Sequence, residues 1–178
     1  MMTRLVKIGI FIFMWSLALN AEPRIALTEG SLFISGSLTL DYSLTGFKDT
    51  KHQFSLASNL GGGFLVVDNM ALGVSIPAKW GFIPAGSGEF GLSFFGTYFF
   101  DIQSILFPYF GLSITPSYRI SGNEFLLSSG FSTGLLVSMS ESVALDVGVA
   151  PEMRFALNDK QVWKLAVPAG FIGIRAFF

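Results

Sequence analysis

From residue 32 onward the chain alternates. Leu32, Ile34, Gly36, Leu38, Leu40, Tyr42 and Leu44 fall on one side of an extended strand, with Ser35, Ser37, Thr39, Asp41 and Ser43 on the other. A period of two held from Leu32 to Leu44 predicts a strand with one apolar face and one small, polar face. The pattern returns with Phe54, Leu56, Leu60, Phe64 and Val66 against Ser55, Ala57, Asn59, Gly61 and Gly63. It stops at Asp68-Asn69, a pair that accepts turn geometry readily, and resumes with Met70, Leu72, Val74 and Ile76. Phe90 to Phe100, Phe110 to Tyr118, Phe125 to Val137, Leu145 to Phe155 and Ala169 to Phe178 repeat it, so eight strands are expected.

Composition decides which way the apolar faces point. Apolar residues make up 51% of the chain and charged ones only 13%, so a solvent other than water is needed for so much apolar surface. The longest apolar run, Ile8 to Leu19, is too short for a spanning helix, which needs about 20 residues. It follows Arg4 and Lys7 and precedes Ala18-Leu-Asn-Ala21, the basic, apolar and small-residue regions of a secretory signal peptide. Residues 1–21 are therefore expected to be a signal peptide and 22–178 an outer-membrane β-barrel domain.

In a membrane barrel the apolar face meets lipid and the small polar face lines the interior. Tyr42, Trp80, Tyr98, Tyr118 and Trp163 lie where interfacial aromatic girdles would form. The soluble alternative is a secreted, lipocalin-like barrel with an aromatic core. An apolar stripe on every strand together with a leader favours the membrane reading. An even number of antiparallel strands puts both ends on one side, and with a periplasmic N-terminus the turns at Asp68-Asn69, Asp101 to Ser104 and Ser140 to Ser142 are periplasmic. The connections at Thr45 to Lys51, Trp80 to Gly88, Arg119 to Asn123 and Asn158 to Gln161 then face outward, and are short for external loops.

Several chemistries are excluded or weakened. The chain has no cysteine, which removes disulfides, thiolate metal sites and an acylated cysteine terminus. A formal net charge of −1 without a basic run offers no footprint for nucleic acid. The single histidine, His52, stands near Ser55, where a lipid A deacylase would need a serine, histidine and acid in reach of one another; no acid can be assigned to it. One histidine and scattered carboxylates do not make a metal site. No catalytic residue, cofactor or metal is expected.

Gly63-Phe-Leu-Val-Val-Asp-Asn-Met-Ala-Leu-Gly73, Phe107-Pro-Tyr-Phe-Gly-Leu112 and Ser140-Glu-Ser-Val-Ala-Leu145 resemble the hairpins of small eight-stranded outer-membrane barrels of the OmpA-transmembrane, OmpX and OmpW kind. Phe178, with Ala176, Ile174 and Ile172 at alternate positions before it, is similar to the C-terminal signal that the barrel-assembly machinery reads in those proteins. The resemblance implies an all-β, antiparallel, up-and-down transmembrane barrel. Outer-membrane lipids and the assembly machinery would be its partners, and no peptidoglycan-binding domain is expected after it. It implies little about activity, because such barrels serve many tasks.

The interior is expected to carry few charges: Asp41, Glu89, Asp146, Glu152, Arg154 and Arg175, with Lys79 near the outer rim. Facing Phe178 outward turns Arg175 inward, and the opposite choice would cost about 2–4 kcal/mol at the bilayer midplane. Folding about the Asn158 to Gln161 connection brings Asp146 and Arg175 to similar depth on adjacent strands, as a lower polar layer. Asp41, Glu89, Glu152 and Arg154 would form a higher one. The many small inward residues predict a roomy lumen, unless Phe33, Phe95, Phe99, Phe171 and Phe177 fill it. Pro77, Pro116, Pro151 and Pro168 lie in the outer halves of their strands and each removes a donor from the sheet. The sequence thus predicts a barrel with a structural or surface-interaction role in the cell envelope. A narrow, porin-like channel for small or apolar solutes is the alternative, and a lipid-modifying enzyme the third reading.

Overall fold

The computed structural model describes residues 24–45, 51–83, 87–156, 163–166 and 170–178. The expected signal peptide, the connection at Asn158 to Gln161 and Pro168 lie outside the described residues, as do the side chains of Asp41, Tyr42, His52 and Trp163.

Among the described residues there are eleven strands: β1 (Leu32–Thr45), β2 (Lys51–Val67), β3 (Met70–Ile83), β4 (Ser87–Gly91), β5 (Ser93–Phe99), β6 (Leu106–Arg119), β7 (Glu124–Ser138), β8 (Val143–Val149), β9 (Glu152–Ala156), β10 (Trp163–Ala166) and β11 (Phe171–Phe177). They compose eight staves, since β4 with β5, β8 with β9, and β10 with β11 run end to end. Neighbouring staves are antiparallel. The first and last pair from Phe33 opposite Phe177 to Thr39 opposite Phe171, which closes the ring. Over that span closure leaves no strand edge to satisfy, the condition that hydrocarbon imposes on a sheet; above Thr39 the described pairs of β1 are with β2 and those of β10 with β9.

Two of the breaks correct the expectation of unbroken strands, and proline is the physical reason. Ser75 faces Ser93 and Ala78 faces Phe90, and on the other side Phe94 faces Ile114 and Gly91 faces Ser117, so the register is unchanged across Leu92. Pro77 and Pro116 flank this point and have no N–H to give. Leu92 still donates to the Pro116 carbonyl at 3.1 Å. The break after Val149 is of the same kind: Pro151 accepts from the Phe131 N–H at 3.2 Å but can return nothing. The turns close with Asn69 at φ 65° and Asn123 at φ 52°, left-handed values that asparagine tolerates better than most residues.

The outward faces form a continuous apolar belt, with Leu38, Leu60, Ile76, Leu112, Ile114 and Ile172 each more than half exposed. A water-soluble monomer rarely tolerates more than a few hundred Å² of contiguous apolar surface. The belt is therefore the lipid-facing wall of a transmembrane barrel. The inward faces divide in two. At the lower end, where Arg24, the C-terminal Phe178 and the turns at Asp68-Asn69 and Ser140 to Ser142 lie, Phe33, Leu65, Phe99, Phe107, Leu136 and Phe177 make a buried apolar layer. Above it the wall is mainly serine, threonine and glycine.

A segment without strand geometry completes the lower layer. Residues 24–31 cross the end of the barrel and set Ile25 and Leu27 into it, 2% and 6% exposed. The Ile25 N–H donates to Ser138 Oγ at 3.1 Å, the Asn69 N–H to the Leu27 carbonyl at 3.0 Å, and the Gly30 N–H to the Leu65 carbonyl at 2.8 Å. Arg24 pairs with Asp101 and lies over the Phe107 ring, 5.2 Å from its centroid.

Candidate functional site

Face parity decides which side chains enter the lumen, and register decides which of them meet. Gly173 of β11 faces Asp146 of β8, two residues from Arg175 along the strand and on the same face. The side chains of Asp146 and Arg175 lean together inside the ring, and Arg175 Nε donates to Asp146 Oδ2 at 2.7 Å. Tyr109 Oη donates to the other carboxylate oxygen at 2.7 Å. The guanidinium lies 5.4 to 5.6 Å from the ring centroids of Phe33, Phe99 and Tyr109, close enough for cation–π attraction. A charged pair is thus carried on the apolar layer, each member holding further polar or aromatic contacts, as a desolvated pair requires.

Room for these rings comes from glycine pairs. Gly134 faces Gly148 across β7 and β8, and a Cβ at Gly148 would stand 2.6 Å from the Thr133 carbonyl oxygen and 2.9 Å from Tyr109 Oη. Gly63 faces Gly73 across β2 and β3, where a Cβ would meet Phe33 or Phe95 instead. The aromatic side chains lie across these bare patches of wall. Gly148→Val is therefore expected to push Tyr109 off Asp146 and to lower unfolding free energy by about 1–3 kcal/mol, an overpacking cost. Urea titration of the refolded chain checks the size, and loss of native Tyr109 contacts by NMR checks the cause.

The higher charges also meet. Glu89 Oε1 accepts from Ser117 Oγ at 2.9 Å and Glu89 Oε2 from Arg154 Nη1 at 3.3 Å, while Arg119 approaches the same oxygen at 3.6 Å. Arg154 also pairs with Glu152, and Arg119 with Glu124 at 3.1 Å. The Asp41 side chain, expected here, lies outside the description. Between the two charged levels is a cavity of about 250 Å³, walled by hydroxyls and floored by Asp146, Tyr109 and Arg175. Phe95 and Phe171 also line it, while Phe33, Phe99 and Phe177 belong to the layer below. The roomy lumen expected from small residues is thus confined to the part above that layer. Phe178, Ile172 and Ile174 are exposed on the outer face and Ala176 is half-buried there.

Sequence reasoning missed Tyr109, Arg119 and the segment at Ile25 and Leu27. Tyr109 shares parity with Gly111 and Ser113 and could have been placed inside by extending that strand one step back. Arg119 has the same parity but stands at the border of the connection expected at Arg119 to Asn123. Ile25 and Leu27 alternate with Arg24, Ala26 and Thr28, a short signal with no strand to belong to.

No protein-family model and no curated protein matches the sequence. Solved structures do resemble the fold. The crystal structure of Neisserial surface protein A is similar at 17% identity with a TM-score of 0.59, over 84% of this chain and all of that one. The outer membrane protein OprG from Pseudomonas aeruginosa is similar at 12% identity and 0.54, over 88% of this chain and 99% of that one. A de novo designed transmembrane β-barrel is similar at 14% and 0.51, over 86% and 100%. The fold is that of the small outer-membrane β-barrels.

Proposed function

We propose that the chain is an integral outer-membrane barrel with a structural or surface-interaction role in the cell envelope, and that its lumen does not conduct. The observation that carries this reading is the filled lower end. Ile25 and Leu27, the apolar layer above them and the Asp146–Arg175 pair stand in series across the lumen. An ion crossing it would have to be desolvated in an apolar section with no partner of its own. In this reading the termini face the periplasm, the belt contacts lipid, and Phe178, Ala176, Ile174 and Ile172 present the terminal strand to the barrel-assembly machinery. The upper charged cluster holds together the staves carrying Glu89, Arg119 and Arg154 rather than guiding a solute.

Planar-bilayer recording tests it. The refolded mature chain is expected to be silent, and Asp146→Ala and Arg175→Ala are expected to stay silent because the apolar layer beneath is untouched. Discrete conductance in the wild type, changed by either substitution, would replace this reading with a narrow channel whose constriction is the lower pair.

A further inference from the structure

We infer that the upper mouth of the barrel is a hinged closure: β4 and β9 swing on the breaks beneath them, and the Glu89–Arg154 ion pair clasps them together across the lumen, above the cavity. The inference concerns the end opposite the filled one and so goes beyond the closed-barrel reading.

The clasp spans the ring rather than joining neighbours. β4 pairs with β6, β6 with β7 and β7 with β9, so two staves stand between Glu89 and Arg154 along the wall. Arg154 Nη1 nevertheless donates to Glu89 Oε2 at 3.3 Å. Both side chains line the cavity and both are shielded, at 14% and 13% exposure, although they lie toward the open end. Ser117 and Arg119 hold Glu89 from β6, and Glu152 holds Arg154 from its own strand. The contact limits how far the two staves can stand apart to the summed reach of one arginine and one glutamate.

The hinges lie directly below the clasp. Glu89 is three residues from Leu92, where β4 gives way to β5, and Arg154 is three residues from Pro151, where β8 gives way to β9. At both levels proline withholds ladder donors, Pro77 and Pro116 beside Leu92 and Pro151 within its own stave, so the wall is less stiffly bonded there. The halves of each stave are also held differently. β5 and β8 set Phe99 and Ala144 into the buried apolar cluster, and β8 carries Asp146 of the lower pair. β4 and β9 give that cluster no side chain and border the cavity instead. Beyond the ladder bonds to their neighbours, the clasp is what sets their position. Short segments pivoting on a few residues are the usual anatomy of a hinge.

The chain has no cysteine, so spin labels can be placed at will in the full mature chain refolded in lipid nanodiscs. One pair is set at Phe90→Cys and Met153→Cys, on the exposed faces of β4 and β9, and another at Tyr98→Cys and Val147→Cys, on the lower halves of the same staves. Glu89→Gln and Arg154→Met are each expected to lengthen and broaden the upper distance, read by double electron–electron resonance, and to leave the lower one unchanged. Glu89→Gln keeps the side chain's shape and carries the test alone should Arg154→Met fail to refold. Ser113→Cys, in the cavity wall, reads the consequence: its reaction with neutral N-ethylmaleimide is expected to quicken about tenfold in either background, the equivalent of losing one charged hydrogen bond. An unchanged upper distance, upper and lower distances altered alike, or an unaltered reaction rate would each overturn the inference and leave an ion pair that satisfies charge without controlling the mouth. Planar-bilayer silence is expected throughout because the lower layer is untouched, so this inference and the closed-barrel reading fail separately.

Discussion

Arg175→Met is expected to lower the unfolding free energy by about 3–5 kcal/mol, the cost of leaving a buried carboxylate without its partner. Asp146 is 4% exposed, and the change leaves it only the Tyr109 hydroxyl. Methionine keeps much of the length and apolar volume of the arginine stem, so volume loss contributes little. The cation–π attraction to Phe33 and Phe99 disappears as well. Urea titration of the chain refolded into lipid vesicles, followed by tryptophan fluorescence, measures the effect. Adding Asp146→Leu to Arg175→Met is expected to recover most of the loss, because the orphaned charge is then gone. A single variant as stable as the wild type would show that the pair is hydrated in the membrane and holds nothing together.

Leu112→Arg should cost about 2–4 kcal/mol in vesicles, the penalty for a guanidinium on the lipid face near the bilayer midplane. Leu112 stands at the middle of β6 with its side chain outward, between Gly96 and Phe131 on the neighbouring strands. Ile120→Arg is the depth control: Ile120 is equally exposed but follows the end of β6, and its cost should be about 0–1 kcal/mol. The same titrations measure both. Equal costs at the two depths would contradict a membrane-spanning belt and return the soluble barrel to consideration.

The architecture was legible because strand periodicity is a local property. Whether Leu38 or Ser37 points outward needs only the neighbours in sequence, and the absence of charge on the apolar side names the solvent. Breaks at Leu92 and Pro151 were less legible. Pro116 disturbs a strand it faces, so its effect on Leu92 depends on a register that alternation leaves free. The lumen follows the same division. Parity turns Asp146, Glu89, Glu152, Arg154 and Arg175 inward, but which of them touch depends on stagger between staves. Tyr109 reaches Asp146 only because Gly134 and Gly148 face one another, a coincidence of three staves that no single strand encodes. The fit of Ile25 and Leu27 is least local of all, since their partners come from the far ends of other hairpins.

Residues 24–31 also bear on the order of events in folding. Their anchors are spread over three separate hairpin elements: Asp101 between β5 and β6, Leu65 and Asn69 on the β2–β3 hairpin, and Ser138 at the end of β7. No single hairpin offers all of them, and the apolar seat for Ile25 and Leu27 exists only when those elements stand in a ring. The segment can therefore lodge only after the others have assembled, and once lodged it makes each of them harder to peel away alone. It works as a latch: a short stretch of chain outside the sheet that converts eight separate strand pairings into one all-or-none unit.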